Sequence, residues 1–195
     1  MIKKTFAFLC LLGFSICHAQ ESLGIGLVGE YSENFNLSNY SGGLQVEFPL
    51  GDNVSLNYKA LIGGSSDGAL YVHAPVGAAF GTILLRYLGS SNSSAVNAFG
   101  VILMAIPEGI TFYPNPEAKV RAGIYVNPLG CDYWHKSSNY EYFRFSGEAG
   151  GKVKIPLGSD KIDMLLQGGV RFLYRNKYVD PIFIHAGVGI SFNID

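Results

Sequence analysis

The sequence predicts an all-β protein, an antiparallel up-and-down β-barrel that spans a membrane. Apolar and polar residues alternate with a period of two along most of the chain, which is typical of strands with two different faces. No run of about eighteen apolar residues occurs, so no ordinary transmembrane helix is expected. Because only helices and closed barrels satisfy every backbone group in lipid, these observations favour a barrel.

The chain begins with the features of a cleaved secretory signal. Two lysines are followed by an apolar stretch at 5–16, and the small residues Cys17 and Ala19 precede the expected cut. We therefore expect a signal peptide at 1–19, cleavage after Ala19, and one mature domain at 20–195. That domain would keep only Cys131, which excludes an internal disulfide.

The composition is that of a membrane protein and gives no indication of a nucleic-acid partner. Charged residues make up 15% of the chain and aromatic residues 13%, and the mean hydropathy is +0.22. Soluble domains carry roughly 25% charged residues. Without the two leader lysines, 12 basic side chains stand against 15 acidic ones, a formal charge of −3. Because acidic and basic side chains are nearly equal in number, the charge implies no nucleic-acid partner.

Seven segments alternate clearly enough to be predicted as strands. In chain order they are 22–31, 42–50, 54–62, 119–127, 143–157, 162–174 and 182–194. Helical spacing would scatter the charges of these segments over every face, so a helix does not fit. One more strand, the fourth in the chain, is predicted around 104–114, where Pro107 and Glu108 interrupt the pattern.

The connections between these strands alternate in length. Short ones lie at 51–53, 115–118 and 158–160, and longer ones at 32–41, 64–107, 128–139 and 175–181. Membrane barrels place short turns on the periplasmic side and long loops outside. Seven connections join eight strands, so both chain ends are expected on the periplasmic side.

The segment 64–107 departs from simple alternation. Two apolar runs, 74–85 and 98–106, flank a polar stretch, and each is too short to span a bilayer as a helix. Pro75 can open a helix and Gly89 can end one. We expect an apolar, helical or irregular insertion at about 74–106, packed in the barrel mouth or lying at the membrane interface. Two more strands, giving a ten-stranded barrel, are the alternative.

The polar face of the strands carries charges of both signs, which could pair inside a small barrel. The predicted interior charge network consists of Glu30, Glu47, Lys59, Arg121, Arg144, Glu148, Lys152, Asp163, Arg171 and His185. The opposite face is nearly free of charge, and aromatic residues gather near the strand ends, as in an interfacial girdle. This favours an apolar face turned to lipid over a soluble, lipocalin-like barrel with its apolar face inward.

The last strand resembles the closing strand of a known family. The segment Gly187-Val188-Gly189-Ile190-Ser191-Phe192, the leader ending in Ala19-Gln20 and the whole strand pattern resemble the short outer-membrane β-barrel family of Gram-negative bacteria, with OmpA/OmpX-type architecture. Three residues follow Phe192, where that family usually ends on an aromatic. The resemblance implies location in the cell outer membrane, contact with its lipid, and the barrel-insertion machinery as a partner during biogenesis. It transfers no catalytic residue.

Candidate catalytic and metal-binding groups are sparse. His185 could meet Asp163 or Glu148 inside the barrel, but neither it nor His73 stands in the motif of a membrane hydrolase. Cys131, Asp132 and His135 lack the further ligand that a metal site needs, so they read as part of an exposed aromatic loop.

No catalytic, cofactor-binding or metal-ligating residue is therefore assigned. The expected function is an integral outer-membrane protein with a structural or surface-interaction role, or a narrow pore if the inward charges leave a water path. A soluble lipocalin-like carrier and a membrane-embedded lipid-modifying enzyme are the alternatives.

Overall fold

A computed structural model describes residues 23–87, 94–137, 139–158, 161–174 and 182–194. The strands are β1 (Leu23–Glu33), β2 (Ser38–Pro49), β3 (Val54–Ser65), β4 (Leu70–Pro75), β5 (Gly109–Phe112), β6 (Arg121–Ser137), β7 (Tyr140–Pro156), β8 (Ile162–Leu173) and β9 (Ile182–Ile194). The helices are α1 (Val76–Tyr87) and α2 (Ser94–Met104). The predicted signal peptide with its cleavage site after Ala19, and the predicted loop at 175–181, lie outside the described residues.

The strands close into an antiparallel barrel. β1 pairs with β2 on one side and with β9 on the other. From β9 the order continues through β8, β7 and β6 to β4 and β5. Both of these strands pair with β3, and β3 pairs with β2, which closes the circle. β4 and β5 share one position, because each lies between β3 and β6. The barrel therefore has eight strand positions. The predicted eight-stranded barrel is confirmed, and the ten-stranded alternative is wrong.

The pairing register shows how strongly the strands are tilted. Paired residues lead around the barrel from Arg144 through Asp132, His73, Leu61, Gly43, Val28, Gly189 and Leu165 to Lys154. The path returns to β7 ten residues further along the strand. Such a stagger in an eight-stranded barrel requires strands tilted by about 40°. Rows of paired residues therefore slope along the barrel axis.

The fourth strand of the barrel is divided by the helical insertion. Leu61 of β3 pairs with His73, and Asn57 of the same strand pairs with Gly109. The chain leaves the wall after Pro75 and returns at Glu108, whose N–H donates to the Asn57 carbonyl at 2.8 Å. We call the end of the barrel that carries Leu23 and Ile194 the lower end. The strand predicted at 104–114 supplies only the lower half of this position, and residues 70–75 supply the upper half.

The insertion is helical, as predicted, but it does not fill the barrel mouth. Phe80 of α1 stacks on Phe145, an outward residue of β7, at 5.9 Å between ring centroids. The Tyr58 hydroxyl, outside β3, donates to the Ala105 carbonyl just after α2 at 2.6 Å. The hairpin therefore packs against the outer wall. No helix within the described ranges is both long and apolar enough to cross a membrane.

The wall continues through part of the segment predicted as a loop at 128–139. β6 runs to Ser137 and β7 begins at Tyr140, with a register shift between Asn127 and Gly130. The prediction of an exposed loop was wrong because cross-strand pairing with β7 extends the strand beyond the local pattern.

On the neighbouring β3–β4 turn, Gly68 has a φ of 82°. There the Ser65 hydroxyl and the Ala69 N–H bond to Asp67 and lower the pKa of its carboxyl.

The two faces of the wall have opposite chemistry. Outward positions carry apolar, exposed side chains, for example Leu27 at 60%, Ile184 at 66% and Val188 at 57% exposure. Inward positions on the same strands hold buried charges such as Glu30 and His185. The predicted architecture of short outer-membrane barrels, apolar outside and polar inside, is confirmed at the level of the fold.

Candidate functional site

Five charged or titratable side chains meet at the middle of the barrel and form what we call the central cluster. Its members are Glu30, Lys59, Glu148, Arg171 and His185. The Lys59 ammonium lies 2.8 Å from Glu30 and 2.7 Å from Glu148. Arg171 Nη2 lies 2.5 Å from Glu30 Oε1 and 2.7 Å from Glu148 Oε2. Each carboxylate thus faces two cations, which makes burial of these charges tolerable.

A second group, the lower cluster, lies nearer the end of the barrel that carries Leu23 and Ile194. Glu47 of β2 accepts from Lys152 at 2.6 Å and from Lys154 at 2.7 Å, both on β7. β2 and β7 stand on opposite sides of the eight-position barrel. These ion pairs therefore cross the whole lumen.

A third group, the insertion cluster, lies where the helices leave the wall. His73 Nε2 is 2.9 Å from Glu108 Oε1, and His73 Nδ1 is 3.1 Å from Asp132 Oδ1. The Tyr71 hydroxyl donates to the same Asp132 oxygen at 2.5 Å and accepts from Arg171. All of these side chains are buried. Arg171 therefore joins the insertion cluster to the central cluster.

Apolar and aromatic side chains fill the opposite end of the lumen. The cluster consists of Ala69, Tyr71, Trp134, Leu173 and Phe183, with Leu37 and Tyr142 packed against it. The Trp134 indole N–H donates to the Asn39 side-chain oxygen at 2.9 Å across the mouth. The described part of the lumen thus has layers of ion pairs below and an aromatic layer above.

Most residues of the predicted charge network are brought together, but not into a single network. Glu30, Lys59, Glu148, Arg171 and His185 form the central cluster, and Glu47 and Lys152 belong to the lower one. Arg121 and Asp163 pair separately at 2.7 Å near the lower rim. Arg144 stacks over the Tyr142 ring at 3.7 Å and donates to the Phe143 carbonyl, at the other end of the barrel.

The arrangement suits electrostatic cross-linking of strands better than catalysis. Nucleophilic catalysis by serine needs a histidine nitrogen that accepts the hydroxyl proton. Both ring nitrogens of His73 are already bonded to carboxylates. His185 Nε2 lies 2.9 Å from the Tyr125 hydroxyl, and both imidazoles are almost fully buried. Neither imidazole is arranged to activate a substrate.

Two groups of side chains have the composition of a metal site. Ligand atoms of Glu30, Glu148 and His185, and those of His73, Glu108 and Glu148, lie within 4.8 Å of one another. Glu148 is common to both groups, and its oxygens already bond Lys59 and Arg171. A metal ion would have to displace these cations, so ion pairing explains the groups without one.

His73, Glu108 and Asp132 belong to the interior site although they were not predicted as members of it. The first two flank the insertion, and the third fell within the segment predicted as a loop. The alternation of Tyr71 and His73 with Val72 and Ala74 would have indicated a strand at 70–75. The suspected cluster of Cys131, Asp132 and His135 is split, because Asp132 faces the lumen, whereas the buried Cys131 and the partly exposed His135 lie on the other face of β6.

Comparisons with known proteins give structural likeness only. No protein-family profile and no curated protein matches the chain. It is similar to Neisserial surface protein A (TM-score 0.49, 6% identity, 88% of this chain and 96% of that one). It is also similar to the N-terminal β-barrel domain of Pseudomonas aeruginosa OprF (0.43, 11%, 90% and 100%) and to the de novo designed TMB2.3 (0.41, 11%, 91% and 98%). The likeness transfers no function.

Proposed function

We propose that this protein is an integral outer-membrane β-barrel with a structural or surface-interaction role and a non-conducting interior. The observation that carries the proposal is the two-sided wall, apolar outside and charged inside. Outward side chains such as Leu27, Val188 and Ile184 are more than half exposed. Exposing so many large apolar side chains to water would be costly, whereas in lipid it is favourable.

The same wall argues against a soluble carrier of an apolar ligand. A lipocalin-like barrel holds its ligand in a lumen lined by apolar side chains. Here the middle of the lumen holds Lys59, Arg171 and the carboxylates that they bind. An apolar ligand would have to replace ion pairs that are already satisfied.

The contents of the lumen support the absence of a conducting path. Lys152 and Glu47 meet from opposite walls, and Lys59 meets Glu148 in the layer above. The mouth is filled by the aromatic cluster around Trp134. An open channel needs a polar lumen that remains full of water, as in the large porins. The side chains that contact other molecules would then lie at the exposed tips of the β-hairpins, for example Phe35 between β1 and β2, which is 97% exposed.

Membrane location and conductance can be tested separately. Cell fractionation should recover the protein with the outer membrane, and unboiled samples should migrate differently from boiled ones. N-terminal sequencing of the membrane form should begin at Gln20, which tests the expected cleavage after Ala19. In planar bilayers the protein should give no stable single-channel steps. Recovery in the soluble fraction would contradict the membrane location, and regular conductance steps would contradict the closed lumen.

A further inference from the structure

We propose that α1 and α2 form a hairpin that lies within the hydrocarbon of the bilayer, with lipid acyl chains as its partner. The inference rests on the proposed membrane location and extends it to a part of the chain that is not in the barrel wall. It assigns the insertion to the half of the bilayer nearer the Tyr140 end of the barrel. Five observations support the proposal.

The hairpin leaves the wall at the middle of the apolar belt. Pro75 ends the upper half of the divided strand, and Ile110, 47% exposed, lies just below the break. On β3 the break lies opposite Tyr58, halfway between Val54 and Ser65. If the belt lies in hydrocarbon, the base of the hairpin is near its midplane.

The two helices are packed as membrane helices are. A Cβ on Gly77 would lie 2.2 Å from the Leu103 carbonyl oxygen, and one on Gly81 would lie 2.6 Å from that of Gly100. Glycines spaced by four let two helix backbones approach closely, which is how helices associate without a hydrophobic driving force. This close contact leaves the larger apolar side chains for the outer surface of the hairpin.

That outer surface is continuous with the apolar belt. The large exposed side chains of the insertion are Phe80, Ile83, Phe99, Val101, Ile102, Met104 and Ile106. Phe80 stacks on Phe145 of the belt, so the two surfaces meet directly. In water such a surface would favour aggregation, whereas acyl chains solvate it at no cost. The exposed polar side chains in the described part of this surface are Thr82, Arg86 and Asn97, and the rest of it offers no group that would select a protein partner.

The position of the charge in the insertion fits this depth. Arg86 is the single charged residue between Val76 and Ile106 in the sequence. It follows the start of α1 by ten residues, about 15 Å of helix, and half of the hydrocarbon thickness is also about 15 Å. An arginine at that distance can reach the headgroups.

The register indicates toward which surface the hairpin points. Phe145 pairs with Cys131, which pairs with Ala74, so the contact of Phe80 lies on the row of paired residues that starts beside α1. A row of paired residues that leaves β7 through β6 and β4 returns to β7 nearer its Pro156 end. A row followed in the opposite direction, from β4 through β6 to β7, therefore climbs toward the Tyr140 end. α1 therefore rises toward the end with the long β6–β7 hairpin.

Depth-dependent fluorescence quenching tests the proposal in the full chain. Trp134, the single tryptophan, is replaced by Phe or, if that variant does not fold, by Tyr. Single tryptophans are then introduced as Ile102→Trp near the hairpin base, Ile83→Trp nearer its tip, and Val188→Trp on the barrel belt. Each protein is placed in phosphatidylcholine vesicles brominated deep in the acyl chain or close to the headgroup, and folding is checked by heat-modifiable migration.

We expect at least twofold quenching at all three sites by brominated lipid, with little quenching by aqueous acrylamide. Deep bromines should quench Ile102→Trp more than Ile83→Trp, and shallow bromines should reverse that order. Quenching at Val188→Trp alone, with acrylamide reaching the hairpin, would overturn the hairpin proposal and leave the membrane barrel intact. Protection of the hairpin from both quenchers would indicate a protein cover, a second copy included, and would also overturn it. Absence of lipid quenching at Val188→Trp would instead contradict the proposed membrane location.

Discussion

His73 Nε2 lies 2.9 Å from Glu108 Oε1, although 35 residues and two helices separate them in the chain. His73 belongs to the upper half of the divided strand, and Glu108 is where the chain re-enters the wall. The same imidazole reaches Asp132 on the next strand at 3.1 Å. One buried side chain thus joins both ends of the insertion to the barrel.

Replacing His73 with Leu should destabilise the barrel by about 3–5 kcal/mol, because Glu108 and Asp132 would be left buried without their shared partner. Urea unfolding in lipid vesicles, followed by the fluorescence of Trp134, measures this change. Glu117→Gln, an acidic residue exposed in the β5–β6 connection, should change stability by less than about 0.5 kcal/mol. Equal effects of the two substitutions would contradict the role given to His73.

The ion pair across the lumen should behave as a coupled unit. Glu47→Leu alone leaves Lys152 and Lys154 without their carboxylate and should cost about 3–5 kcal/mol. Adding Lys152→Met removes one uncompensated charge, so the double variant should be more stable than Glu47→Leu. A double-mutant cycle in the same unfolding assay measures the coupling. Additive effects would show that the two side chains do not interact in the folded barrel.

The orientation of the wall can be tested on neighbouring strands. Val188→Arg places a charge on the outward face and should cost roughly 2–4 kcal/mol in a bilayer. Gln167→Arg should be milder, because Gln167 points inward and its amide lies 3.4 Å from Glu30. Folding yield into vesicles and urea midpoints are the measurements. A larger effect at Gln167 than at Val188 would invert the assigned faces.

The packing of the two helices should depend on Gly81. Gly81→Val would bring side-chain atoms into Met104 Cγ and the Gly100 carbonyl oxygen, at 2.4 and 2.6 Å from the first added carbon. Such overpacking costs about 1–3 kcal/mol, and it should loosen the hairpin while the barrel still folds. Proteolysis of the insertion in vesicles reports this, with heat-modifiable migration as the check on the barrel. Thr82→Val, an exposed site one residue further, should have no effect.

Local alternation by itself determined the barrel. Inward Arg171 and Glu148 and outward Phe145 and Val188 were assigned to the correct faces from period-two spacing, because a strand turns successive side chains to opposite sides whatever its partners are. The seven predicted connections, short and long in alternation, likewise led to the number of eight strands. These features need only neighbours in sequence.

Only the tertiary structure decided how the middle of the chain is used. Local alternation can indicate strands at 70–75 and near 109–112, but they become one position of the barrel only because β3 and β6 pair with both. The same pairing brings His73 and Glu108 together. Contacts of this kind depend on the closure of the barrel over long sequence separations, which no local pattern encodes.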